Sequence, residues 1–313
     1  MVARPSRSPA PSGPSPEVLH ERVTAWFADH ARALPWRAED CTAWGVFVSE
    51  VMSQQTPVAR VAPQWEDWMR RWPTPADLAA ETPGEVVRAW GRLGYPRRAL
   101  RLREAAAAMV ERHDGRVPDT ETELLALPGV GAYTAAAVTA FAFGRRSVVV
   151  DTNVRRVLVR AVRGEALPAR SLTAAEARLA AGLVPDGDAE SALWNVAVME
   201  LGALVCRART PECDRCPLED VCAWVAAGSP PDDGPPRRGQ AWHGTDRQMR
   251  GAIVQVLRET AGPVERSVLE HTVLAALALE PEAAAVQLDR CLGSLVEDGL
   301  VEPAGADRIR LPA

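Results

Sequence analysis

Four of the chain's six cysteines, Cys206, Cys213, Cys216 and Cys222, crowd into one 17-residue stretch with the spacing C-x6-C-x2-C-x5-C. Thiols so close together dictate the local fold more firmly than any other feature of the sequence. No hydrophobic h-region of a secretory signal accompanies them, so two disulfides are the weaker reading. Four thiolates suit a tetrahedral metal or an iron–sulfur cluster, and spacing alone does not choose between zinc and iron–sulfur. Cys41 and Cys291 stand apart and read as ordinary buried residues.

Around this array the patterning is helical. It recurs from Glu17 to about Trp224, with breaks near Pro35, Pro73, Pro83, Pro118, Pro128 and Pro168. The one clear β-branched run there, Val148–Val149–Val150, is too short to build a sheet. The expectation is an all-α fold. Residues 1–16, with five Pro and four Ser, read as a disordered leader. Residues 228–244 have linker composition. Helical periodicity resumes in 245–313, where Leu288, Cys291, Leu292 and Leu295 share a helix face. Two short strands around a Gly-containing turn then fill 299–311, so a small winged-helix-like module is expected. No apolar run approaches the ~18–20 residues of a membrane span, which excludes a membrane protein and points to the cytoplasm.

The net charge is −5, yet the charge is segregated. Residues 86–112 hold seven Arg against two acids, and residues 144–170 again hold seven against two. From 245 onward there are seven Arg against eleven acids. A basic middle is what phosphate binding uses. No lysine occurs anywhere; all 36 basic residues are Arg. Imine chemistry on a lysine amine is therefore excluded.

Within the basic middle, Leu127-Pro-Gly-Val-Gly131 joins helical stretches at about Glu121–Ala126 and Ala132–Phe143. Gly129 and Gly131 permit positive φ, and the following helix N-terminus offers N–H groups to a phosphate regardless of sequence. This hairpin, Val150-Asp-Thr-Asn-Val-Arg-Arg-Val157 and the cysteine array together resemble the helix–hairpin–helix DNA glycosylase superfamily. More narrowly, Leu34-Pro-Trp-Arg37, Ser49-Glu-Val-Met-Ser-Gln-Gln-Thr56, Gly91-Arg-Leu-Gly-Tyr95 and Met199-Glu-Leu-Gly-Ala203 resemble the MutY-type adenine DNA glycosylases. The match runs from about Glu17 to Ala227. It implies a [4Fe–4S] cluster on the four cysteines and a two-lobed fold. One lobe is expected from 17–37 plus 143–227, carrying the cluster, and a six-helix lobe from 38–142.

The chemistry falls on two carboxylates. Glu50 lies in a helical stretch, Ala43–Ser53, among Val46, Phe47, Val51 and Met52. Apolar surroundings disfavour its charged form and suit it to general acid work. The resemblance makes it the residue that protonates the departing adenine at N7. Asp151 precedes a helix at Thr152–Val162, an N-cap position whose N–H groups and dipole favour the anion. The resemblance has it stabilise an oxocarbenium-like sugar, the usual division between a neutral and a charged carboxyl. Tyr133 replaces the lysine of bifunctional relatives such as endonuclease III, which implies a monofunctional glycosylase. The resemblance implies that, with Asn153, it supports the active site.

The same resemblance puts Gln55 and Thr56 into the duplex near the opposite base and makes Leu93 and Tyr95 a wedge that opens the stack. Arg32 and Trp36 line the base pocket. The implied partner is double-stranded DNA with a mispair, bound by a monomer. Two residues depart from the pattern: Ser53 stands where relatives commonly have Leu, and Val196 where many have Glu or Gln. The usual C-terminal Nudix-like domain, which reads 8-oxoguanine, is missing too, and 69 residues are too few for it. Rival readings are a thymine or uracil glycosylase acting opposite G, and a non-catalytic iron–sulfur DNA-binding protein, for which both carboxylates would be superfluous.

Overall fold

Local signals set where the helices begin. The side chains of Ser15, Thr42, Thr82, Asp151 and Thr245 each accept the backbone N–H three residues on, satisfying donors that a helix start leaves open. Thr74 with Asp77, and Thr173 with Glu176, close full capping boxes. Gly144 ends its helix in the left-handed conformation.

The computed structural model describes residues 13–235, 239 and 241–313. The first twelve residues of the expected leader, and 236–238 and 240 of the expected linker, lie outside the described residues. In chain order the helices are α1 (Pro16–His30), α2 (Ala43–Ser53), α3 (Val58–Arg71), α4 (Pro75–Ala80), α5 (Pro83–Ala89), α6 (Arg97–Arg112), α7 (Glu121–Leu125) and α8 (Ala132–Phe143). They continue with α9 (Thr152–Leu158), α10 (Ala174–Leu183), α11 (Asp188–Leu204), α12 (Ala223–Ala226), α13 (Asp246–Glu259), α14 (Arg266–Leu277) and α15 (Pro281–Glu297). The helix expected to Val162 stops being α-helical after Leu158 and finishes as a π turn, Val159–Arg163. The all-α expectation holds for the body of the chain. Among the described residues no helix is long and apolar enough to cross a membrane.

Two compact units emerge. The first gathers residues 13–39, Asp119–Thr122 and 131–235. Its core packs Leu19 and Val23 of α1 against Val157 and Leu158 of α9 and Trp194, Val198 and Leu201 of α11. The Val148–Val150 run is extended but joins no sheet. Instead the buried Asn195 side chain accepts the Val149 N–H at 3.3 Å and donates to the Ser147 carbonyl at 2.9 Å.

The second unit gathers Asp40–Pro118, Glu123–Val130 and the chain from 239 onward. Its C-terminal part adds β1 (Val264–Glu265), β2 (Glu302–Pro303) and β3 (Arg308–Arg310) in a sheet of order β1-β3-β2, both pairs antiparallel. The hairpin expected in 299–311 is β2–β3; β1, two residues long, had no period to reveal it. Ile253, Leu257, Leu269, Leu288 and Leu295 form one core with Val87 of α5. A Cβ on Gly84 would lie 2.3 Å from the Pro312 carbonyl oxygen. Two arginines trade places across this seam. Arg88 donates to the carbonyls of Leu257, Arg258 and Thr260 at the end of α13, and Arg258 donates to those of Val87 and Gly91 at the end of α5. Each guanidinium thus caps the negative end of the other's helix. The grouping differs from the expected boundaries: Asp119–Thr122 and α8 join the first unit, and 245–313 falls in the second unit with α5 and α6 rather than separately.

Candidate active site and cysteine loop

Asp151 is the N-cap of α9. Its Oδ1 accepts the Val154 N–H at 2.6 Å, and its Oδ2 accepts the Asn153 side-chain amide at 2.8 Å. Asn153 Oδ1 in turn accepts from Arg156 Nη2 at 2.7 Å, and Arg156 donates onward to the carbonyls of Cys206 and Gly202. The Met199–Ala203 motif serves this arrangement through its glycine. A Cβ on Gly202 would lie 2.7 Å from Asn153 Cβ, so only glycine lets α11 approach α9 there. Burial raises the Asp151 carboxyl above its ordinary value, and the bonds from Val154 and Asn153 offset only part of that cost. The expectation of an anion secured by its cap is corrected to that extent. Tyr133 is half-buried, with its hydroxyl 3.7 Å from Met199 Sδ.

Glu50 occupies the middle of α2 and is 7% exposed, among the buried Val46, Phe47, Val51 and Met52. This matches the environment expected of it. The helix ends at a turn in which Gln55 is exposed and left-handed, φ 55°. Thr56, by contrast, is buried, and its hydroxyl donates to the Leu93 carbonyl at 2.9 Å. Leu93 is 3% exposed. Positive φ at Gly91, Gly94 and Tyr95 winds the segment so that Leu93 turns inward and Tyr95 outward. Gln55 and Tyr95 are thus exposed, whereas Thr56 and Leu93, also expected at the duplex, are buried where the two turns meet.

Arg98 completes that junction and was not singled out from the sequence. Its guanidinium donates to the carbonyls of Val51, Met52 and Gln54 on one turn, and to Thr56 Oγ1 and the carbonyls of Leu93 and Gly94 on the other. It also lies over the Trp90 and Tyr95 rings, at 5.1 and 5.8 Å. Burial lowers it to about 10, so it keeps its charge at neutral pH. In sequence it is one Arg of a basic run, with no local mark to separate it from a phosphate contact.

A second residue missed from the sequence is Glu200, 1% exposed. It accepts a bidentate pair from Arg32 (2.7 and 2.6 Å) and two more bonds from Arg37. The paired guanidiniums hold its carboxyl down at about 2, against the pull of burial. Arg32, expected in the base pocket, thus has its guanidinium engaged by Glu200, and Trp36 sits half-buried in the turn between the two arginines. At the hairpin, Gly129 has φ 75° and packs on Arg101, where a Cβ would meet Arg101 Cβ at 2.7 Å. Gly131 is extended, φ −102°, as the N-cap of α8; only Gly129 uses the positive φ expected of both.

The four cysteines line one pocket with Arg160 and Trp224. Burial first, and then the neighbouring thiols, raise Cys213 and Cys222 and push Cys216 up to about 12. Thiolates there call for a compensating cation, which a thiolate-ligated metal group supplies. Among the described residues no group of three or more Cys, His, Asp or Glu is drawn together closely enough to hold a metal ion. The donor set and the shared pocket nevertheless suit a four-thiolate group. Arg160 Nη1 lies 3.4 Å from Cys206 Sγ, with its guanidinium over the Trp224 ring at 4.7 Å.

Residues 48–180 match the family described as HhH-GPD superfamily base excision DNA repair protein. The adenine DNA glycosylase of Mycobacterium tuberculosis is 48% identical over 97% of this chain and 97% of its own length. That of Mycolicibacterium smegmatis is 49% identical, covering 92% and 94%. The human adenine DNA glycosylase is 44% identical over 64% of this chain and 38% of its own. Among solved structures, a thermostable thymine-DNA glycosylase superposes with a TM-score of 0.59 at 25% identity, covering 68% of this chain and 97% of that one. Endonuclease III in a trapped covalent intermediate with DNA gives 0.58 at 24%, covering 68% and 96%.

Proposed function

Because the chain belongs to the adenine DNA glycosylases of the HhH-GPD superfamily, we propose that it excises adenine mispaired with 8-oxoguanine or guanine in base excision repair. Glu50 serves as general acid and Asp151 as stabiliser of the sugar. The observation that carries this division is the Asp151 cap, a carboxylate bound on one oxygen by a helix N–H and on the other by Asn153. Glu50 gives its proton to adenine N7, the C1′–N9 electron pair leaves with the base, and positive charge develops on the deoxyribose. The Asp151 carboxylate offsets that charge until water adds at C1′ and its proton returns to the Glu50 carboxylate, leaving an abasic site. Placing negative charge where positive charge develops is the largest lever such a site has. Burial raises Asp151, and the positive charge on the sugar opposes that by favouring the ionised form.

Tyr133, with Asn153, lines the support of this site, and in a chain without lysine the reaction ends at the abasic site. Gln55 and Tyr95 act at the opposite base and the stack, and Gly129 and Gly131 at the phosphates. Cys206, Cys213, Cys216 and Cys222 hold a [4Fe–4S] cluster, which when bound fixes the 206–222 loop and compensates its thiolates. Iron and sulfide analysis with visible absorption tests this; stoichiometric zinc without iron would overturn it.

Labelled duplexes carrying A·8-oxoG, A·G, T·G and U·G pairs test the specificity. Adenine release from the first two is expected. The likeness to a thymine-DNA glycosylase, with Ser53 and Val196 in place of the usual residues, makes T·G the informative control. Preferential release from T·G or U·G would replace the adenine reading.

A further inference from the structure

Among the described residues only two aromatic side chains are markedly exposed, Tyr95 at 42% and Trp242 at 47%. They come from distant parts of the chain, yet both rings flank one guanidinium. Arg247 Cζ lies 4.9 Å from the centroid of Tyr95 and 5.4 Å from that of Trp242. Arg247 is itself exposed.

The ladder is held in place on both sides. Thr245, the N-cap of α13, donates its hydroxyl to the Trp242 carbonyl at 2.8 Å, which fixes Trp242 one turn before Arg247. The Arg88–Arg258 exchange locks α13 to α5, and Arg98 locks the Tyr95 turn. Two exposed rings around a cation form a surface on which a phosphate is met by charge and a sugar by a ring face.

We propose that Tyr95, Arg247 and Trp242 form one contact surface for double-stranded DNA, through which the C-terminal part extends the grip of the Tyr95 turn along the duplex. The proposal rests on the DNA glycosylase reading above. Arg247 meets a backbone phosphate, and Trp242 packs against the duplex beyond the base that Tyr95 engages.

The test uses the full chain and fluorescence anisotropy on an undamaged duplex and on an abasic-site duplex, across a salt series. Arg247→Ala should weaken binding about tenfold and reduce the salt slope by close to one, the loss of a single phosphate contact. Arg247→Lys should keep the slope and lose part of the affinity. Trp242→Ala should weaken binding several-fold with the slope unchanged. Melting temperatures should stay at the wild-type value, since both residues are exposed. Unchanged affinity in Arg247→Ala and Trp242→Ala would overturn the proposal. So would a loss in Arg247→Ala that leaves the salt slope intact, which would reduce Arg247 to a packing partner of Tyr95. Adenine release by the wild-type protein is scored separately, so failure of the glycosylase reading is told apart from failure of this surface.

Discussion

Glu50 and Asp151 carry the same functional group into opposite surroundings. Glu50 sits mid-helix, 7% exposed, in a helix whose Val46, Phe47, Val51 and Met52 are also buried; Asp151 sits at a helix start with an N–H on one oxygen and an amide on the other. The proposed reaction asks one carboxyl to donate a proton and the other to bear charge, and the two stand in different surroundings. The contrast shows that a cap does not guarantee ionisation. For Asp151 burial outweighs the cap, whereas for the more deeply buried Glu200 two guanidiniums outweigh burial. Helix caps contribute partial charges, arginines whole ones.

The largest effect should come from Glu50→Gln. Glutamine keeps the shape and cannot deliver a proton, so single-turnover excision should fall by about 10²–10⁴-fold while duplex affinity stays within a few-fold. Full activity would remove Glu50 from the acid role and dissolve the comparison. Asp151→Asn should slow excision by about 10²-fold or more, with equal or tighter DNA binding as a charge that repels phosphate is lost. A rate near wild type would show that the sugar cation is stabilised elsewhere.

Arg98→Ala comes next. It should cut single-turnover excision about tenfold by loosening the Gln55 and Tyr95 turns, and Arg98→Lys should restore little, because an ammonium cannot span six acceptors in one plane. A variant with unaltered rate and affinity would separate those turns from the reaction. The smallest effect is on the pH dependence of stability. Glu200 is depressed to about 2 from the ordinary 4.5, so its contribution is complete above about 4.5 and is lost as pH falls toward 2. Asp151 is raised, so its burial penalty appears as pH rises through the ordinary carboxylate range and vanishes below it. Glu200→Gln should therefore lower the melting temperature at neutral pH and flatten the acid limb, whereas Asp151→Asn should raise or leave the neutral melting temperature. Identical acid limbs in Glu200→Gln and wild type would refute the contrast.

What could be read in advance was whatever the chain states locally. The cysteine spacing, the α2 and α8 boundaries, the Asp151 cap and the apolar wall around Glu50 are all written within a few residues of one another. What escaped depended on distant partners. Leu93 looks like a wedge until Thr56 and Arg98 draw its turn inward, and Arg32 looks like a pocket residue until Glu200, 168 positions away, takes its guanidinium. Arg98 itself, among seven arginines of a basic run, has no periodicity to distinguish a clamp from a phosphate contact.

The reciprocal capping by Arg88 and Arg258 has a consequence for how the chain can be divided. The stretch 228–244 reads like a seam between cassettes, yet the covalent seam and the folding seam do not coincide. A nick there would yield a split protein whose pieces stay married through the Val87 core, the Gly84–Pro312 contact and two traded guanidiniums. Deleting everything after the nick would instead strand the end of α5 without its cap and uncover apolar surface beside the Tyr95 turn. The tail is joined to the rest of its unit by these contacts as well as by the backbone.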